Sequence, residues 1–90
     1  MNYKLRCSPE LKKDVKASIH NISNVVNNLL RKYANGQIKL DYEPVSGYSN
    51  YDDSICLMLN EKLYYEANEF RKNETLHPSM RWVIIKLLKC

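Results

Sequence analysis

With 90 residues, 44% of them hydrophobic and 27% charged, the chain has the make-up of a globular protein with one small core, and two independent domains are not expected. Its apolar runs, such as Ile55 to Leu59 and Trp82 to Ile85, are far too short to cross a bilayer, so no membrane partner is expected. The formal charge of +4 is modest, and the N-terminus MNYKLRCSPE carries no apolar signal-peptide core, so an intracellular location is expected.

Residues 2 to 8, NYKLRCS, alternate polar Asn2, Lys4 and Arg6 with apolar Tyr3, Leu5 and Cys7, the period of a strand with one buried face. Ser8, Pro9 and Glu10 then form a helix start. The hydroxyl can cap, the proline loses no hydrogen bond at the first helical position, and the acid faces the positive end of the dipole. Leu11, Val15 and Ile19 give this helix an apolar stripe and leave Lys12, Lys13, Asp14 and Lys16 outside. The run His20 to Ser23 breaks the pattern. Asn21 or Ser23 can cap a second helix, with Val25, Val26, Leu29, Leu30 and Tyr33 on one side. Asn35 or Gly36 suits the left-handed position that ends it. His20, at a helix end with no paired acid, reads as structural rather than as a general base.

From 37 to 53, QIKLDYEPVSGYSNYDD, the periodicity fades and Pro44, Ser46, Gly47, Ser49 and Asn50 mark turns, so this stretch reads as a linker. Its tyrosines, Tyr42, Tyr48 and Tyr51, either pack over the core edge or form a patch for a partner. Ser54 to Leu59, SICLML, predicts a second strand, apolar almost throughout. Asn60 caps a third helix, which Glu61 opens and which carries Leu63, Ala67 and Phe70 before Lys72 to Thr75 end it. Leu76, His77, Pro78 and Ser79 repeat the turn, with Pro78 suited to the first helical position. MRWVIIKLLK then carries Val83, Ile84, Leu87 and Leu88 to the end.

The order strand, helix, turn, helix therefore occurs twice, in residues 2 to 36 and 54 to 90. Each copy is shorter than the roughly 40 residues at which an unaided core becomes viable, so the two must bury their faces against each other, as one intertwined domain over 1 to 90. Aligning Leu11 with Leu63 puts Lys4 opposite Cys56, Arg6 opposite Ser54 and Asn2 opposite Met58 in a two-stranded antiparallel ribbon. One face then holds Asn2, Lys4, Arg6, Ser54, Cys56 and Met58, and the other Tyr3, Leu5, Cys7, Ile55, Leu57 and Leu59. Cys7 and Cys56 fall on opposite faces, which excludes a disulfide between them. With His20, His77 and Cys90 they match no common zinc spacing, so no metal or other cofactor is expected. Buried small hydrophobes, or an exposed terminal thiol for Cys90, fit them better. No nucleophile, base and acid gather at recognisable spacing, so neither an enzyme nor a small-molecule substrate is expected.

At RCSPEL, followed a dozen residues later by SNVVNNLLRKY, the sequence resembles the ribbon-helix-helix family of DNA-binding proteins. The match covers residues 2 to 33 and, more loosely, 54 to 89. The resemblance implies a mainly α fold in which two strands, normally one from each subunit, form a ribbon that enters the major groove. The N-terminus of the second helix of each half then holds a phosphate. Two motifs in one chain imply an intramolecular pseudo-dimer and look like transcription regulators of archaeal viruses, located in the host cytoplasm if viral. Ten asparagines argue mildly against an extreme thermophile.

The function expected on this footing is a sequence-specific regulator of transcription that binds double-stranded DNA, with self-association on DNA left open. Residues 1 to 40 carry eight basic against two acidic residues (+6) and residues 41 to 90 six against eight (−2), so the first half suits a phosphate partner. A solvated lysine-rich helix is the other reading of that charge. Asn2 can pair with adenine, and Lys4 or Arg6 with guanine; Ser54 adds a polar contact, and Cys56 and Met58 apolar ones. The last two depart from the family's usual polar triplet. The expected phosphate contacts lie at Asn21, Ser23 and Asn24 and at His77 and Ser79. Two other classes stay open. One is an antitoxin-like or adaptor protein working through protein contacts, with WVIIKLLKC and the tyrosine linker as its surfaces. The other is a helical structural module whose Lys4 and Arg6 merely solvate an edge strand.

Overall fold

The computed structural model describes residues 1 to 89, so Cys90, expected as an exposed thiol, lies outside the described residues. The chain runs β1 (Asn2–Cys7), α1 (Pro9–Ser18), α2 (Ile22–Ala34), β2 (Asp53–Met58), α3 (Glu61–Phe70), a π-helical turn (Arg71–Thr75) and α4 (Met80–Leu88). About half of it is helical, and the two strands form one antiparallel sheet.

Local chemistry starts each helix. Ser8 Oγ accepts from Leu11 N at 3.1 Å with Pro9 at the first helical position, Asn60 Oδ1 accepts from Leu63 N at 3.0 Å, and Ser79 Oγ accepts from Trp82 N at 3.1 Å. Caps of this kind contribute about 1 kcal/mol each. Asn21 precedes α2 in the left-handed conformation, φ 56°, which asparagine tolerates better than most residues. That single residue turns the chain so sharply that α1 and α2 are separated by only Ile19, His20 and Asn21.

The ribbon pairs Asn2 with Met58, Lys4 with Cys56 and Arg6 with Ser54. Leu5, Cys7, Ile55, Leu57 and the following Leu59 are buried, whereas Asn2, Lys4, Arg6, Cys56 and Met58 are exposed. A slip of one residue would turn every buried side chain of a strand to the outside, so the hydrophobic pattern holds this register.

The two halves interlock. Helices α1 and α2 pack against β2, α4 packs against β1, and α2 lies along α3. Ser23 Oγ accepts from Met58 N at 2.9 Å, while Asn27 donates to Met58 O at 3.2 Å and accepts from Asn60 N at 2.8 Å, so α2 closes the end of the other half's strand. Leu5, Val26, Leu30 and Tyr33 share one core with Leu57, Val83, Ile84 and Ile85. The radius of gyration, 12.2 Å, is that of a single packed unit, for which about 12 Å is expected at this length.

The segment between α2 and β2 has no regular structure, yet it is tied down. Leu40 and Val45 are buried; Lys86 donates to Glu43 O at 2.9 Å and pairs with Asp41 at 2.6 Å; Lys89 donates to Ser46 O at 3.1 Å. Gly47, at φ 79°, turns this segment over Ser8, whose Oγ would lie 3.4 Å from a Cβ added there. Tyr48 is half-buried, and the exposed Tyr42 still packs a tilted ring on His77 with 4.6 Å between ring centroids.

In several places the structure departs from the sequence pattern. Strand β2 begins at Asp53, which pairs with Cys7, and ends at Met58. Helical backbone does not stop after Phe70 but widens into a π turn, because Arg71 O takes both Leu76 N at 2.7 Å and Thr75 Oγ1 at 3.1 Å. Pro78 stands before α4 rather than in it, since the Ser79 hydroxyl supplies the cap. The apolar end expected as a contact surface is interior: Trp82 to Ile85 and Leu87 are all buried.

The π turn closes on Leu76, an exposed leucine at φ 60°. Leu76→Gly is therefore expected to stabilise the fold. Relief of roughly 1–2 kcal/mol at a left-handed residue outweighs the roughly 0.4–1 kcal/mol that a freer unfolded chain costs. Thermal unfolding monitored by circular dichroism measures the net gain, and a lowered midpoint would contradict it.

Candidate nucleic-acid interface

The outer face of the ribbon presents Asn2, Lys4 and Arg6 on one strand, beside Ser54, Cys56 and Met58 on the other. All are exposed except half-buried Ser54, and Met58 keeps 59% of its surface. The opposite face is sealed on the core, and burial pushes the Tyr3 phenol up to about 12, so that ring stays neutral beneath the ribbon. The two faces differ because strand side chains alternate; the outer one takes Asn2, Lys4, Arg6 and Ser54 together with Cys56 and Met58. Strand β1 offers amide, ammonium and guanidinium groups; β2 offers one hydroxyl, a thiol and a thioether.

At one end of the ribbon stands the start of α2. Its first amides have no partner within the helix, and the Asn21 side chain reaches only Asn24 N, at 3.5 Å. Asn21 and Asn24 are exposed, and the Ser23 hydroxyl accepts from Met58 N at 2.9 Å while keeping its own O–H to donate. At the other end, the start of α4 is occupied from within: Ser79 Oγ caps Trp82 N and lies 2.8 Å from the Tyr48 hydroxyl.

His77 cannot serve as a phosphate contact. It is only 2% exposed, its amide donates to Thr75 Oγ1 at 3.2 Å, and its ring stacks on Trp82 at 4.9 Å. Nε2 lies 3.2 Å from Leu40 O, an acceptor only, so Nε2 carries the proton and Nδ1 accepts from Tyr33 at 2.8 Å. Burial, chiefly, holds its pKa below the usual histidine value. The pattern HPSM gave no warning, because burial here follows from Tyr33 and Leu40, elements distant in sequence.

Arg6 is held rather than free. Its Nη2 donates to Tyr51 O at 2.6 Å, and the Arg6 carbonyl accepts from Arg81 Nε at 2.7 Å. Arg81 also donates to Asn50 O at 3.1 Å, with its guanidinium 4.6 Å and 4.1 Å from the ring centroids of Tyr48 and Tyr51. Neither Arg81 nor this role for the two tyrosines was legible in the sequence, since the partners are 31 and 75 residues apart from Arg81.

Near the same end Lys12 pairs with Asp53 at 3.1 Å, and the Ser54 amide followed by Lys12 holds the Asp53 carboxyl below its usual value. Burial, then the Asp53 charge, pushes the Cys7 thiol up, while Cys56 is an exposed free thiol on the opposite face. Among the described residues, no group of three or more histidine, cysteine or acidic side chains could hold a metal ion. No helix in them is long and apolar enough to cross a membrane. Comparison of the chain with protein-family models, with curated proteins and with solved structures finds no match.

Proposed function

We propose that the chain is a sequence-specific double-stranded DNA-binding regulator of transcription, a tandem ribbon-helix-helix unit in which two halves of one polypeptide take the place of two subunits. The observation that supports this best is the ribbon itself. One antiparallel pair carries Asn2, Lys4 and Arg6 on an exposed face while its other face is buried. A two-stranded ribbon fits the major groove, where the edges of all four base pairs are distinguishable. Asn2, Lys4 and Arg6 make the informative contacts, and Ser54, Cys56 and Met58 add small polar and apolar ones. The reader is therefore asymmetric, with the start of α2 meeting a phosphate through Asn21, Ser23, Asn24 and the free amides there. At the α4 end, Ser79 meets one only by giving up its contact with Tyr48.

Binding to duplex DNA measured against salt, for the wild type and for Arg6→Ala, tests the reading. A linear fall of log K with log salt is expected, with a slope of about −0.9 per phosphate neutralised. Arg6→Ala is expected to lose roughly 1–3 kcal/mol of discrimination between preferred and unrelated duplexes. Absence of binding at low salt would overturn the DNA reading, whereas binding with unaltered preference in Arg6→Ala would overturn the assignment of Arg6 alone.

A further inference from the structure

We propose that Arg81, clamped between Tyr48 and Tyr51, is the positioning residue for Arg6, so that the inter-motif segment and α4 belong to the DNA-reading apparatus. The inference rests on the DNA-binding reading above and adds to it a residue that touches no base.

A solvent-exposed arginine on a two-stranded ribbon samples many rotamers, and binding must collapse them. In this chain the collapse is made beforehand. The Tyr51 carbonyl holds one Arg6 nitrogen, and Tyr51 is in turn held because its ring lies 4.1 Å from the Arg81 guanidinium. Arg81 Nε binds the Arg6 carbonyl and Nη2 binds Asn50 O, so one guanidinium fixes both the strand that carries Arg6 and the turn that holds its side chain. Arg81 Nη1 is buried with no hydrogen-bond partner, while the guanidinium carbon lies 4.6 Å and 4.1 Å from the ring centroids of Tyr48 and Tyr51. Three backbone carbonyls accept from the two guanidinium groups, and two ring faces lie against that of Arg81. Only one of the five N–H donors of Arg6 is committed, which leaves the others for a guanine edge.

A planar fork is needed for this task. Lysine brings the same charge but is a point donor, unable to span Arg6 O and Asn50 O while lying between two rings. Arg81→Lys therefore separates charge from geometry. In the free protein, nuclear magnetic resonance of the arginine side chains is expected to show a hindered, slowly exchanging Arg6 guanidinium, and averaged signals for it in Arg81→Lys. With a randomised duplex pool, wild-type protein is expected to select guanine at the positions lost in Arg6→Ala. Arg81→Lys is expected to lose roughly tenfold in preference at the same positions, with the salt slope unchanged.

If Arg81→Lys does not fold, Tyr51→Leu keeps the carbonyl, removes one ring and is read in the same way. An Arg6 guanidinium already mobile in the wild type, or a folded variant with wild-type base preference, would overturn the proposal. Wild-type protein that binds no duplex while Arg6 is restrained overturns instead the DNA-binding reading on which the clamp's purpose rests.

Discussion

Leu5→Ala is expected to lower the free energy of unfolding by about 2–5 kcal/mol, the cost of truncating a buried leucine and leaving a cavity. Lys4→Ala, one residue away, is expected to change it by less than about 0.5 kcal/mol. The contrast follows from the ribbon. Leu5 is fully buried opposite Ile55, while Lys4 points outward opposite Cys56. A 90-residue domain has about 5–13 kcal/mol in hand, so the first substitution removes a large share of it. Urea unfolding of the three proteins measures both values. A shifted midpoint at constant m is expected for Leu5→Ala. Equal losses for the two variants would mean that the ribbon's faces are assigned wrongly.

His77→Ala is expected to cost about 3 kcal/mol or more, because Tyr33 and Leu40 lose a buried partner and the space between Trp82 and Tyr42 empties. The same residue sets a pH dependence. Its pKa is lowered in the folded protein, chiefly by burial, from an ordinary value of 6.5. Below 6.5 the unfolded chain therefore binds more protons than the folded one, and stability falls with falling pH. The loss is complete once the pH has passed the folded value; above 6.5 the contribution is whole. Asp41 and Asp53 have lowered carboxyl values, so they act in a separate acid window, with stability present above 3.8 and lost as the pH falls through their folded values. Urea unfolding at a series of pH values between 7 and 5 is expected to show a slope in the wild type that His77→Ala lacks. A slope shared by both proteins would assign it elsewhere.

Much of the candidate site could be read from residues alone, for physical reasons that differ from element to element. The alternation in NYKLRC and the apolar positions of SICLML determine which faces are inside, because strand side chains have a period of two. Ser8, Asn60 and Ser79 are adjacent to the amides they cap, so those helix starts are visible as local chemistry. The register followed from requiring two short, incomplete halves to match. Local pattern misled where a residue's fate depends on a distant neighbour. His77 and Pro78 look like a helix start, yet His77 is drawn inside by Tyr33 and Leu40. WVIIKLL looks like an open apolar surface until the ribbon and α2 cover it.

What the sequence alone determined is the alternation of faces, the repeated order of elements and the concentration of positive charge in the first half, because each depends on neighbours within a few positions. Only the tertiary structure decided that α2 closes the end of β2 and that the segment between α2 and β2 is tied to α4. It alone decided that Arg6 is held through Tyr51 and Arg81. Those contacts join residues 35, 43, 45 and 75 positions apart, and no periodicity carries such a distance. They exist because neither half can bury its apolar face alone, so the packing of one half on the other selects which polar side chains meet.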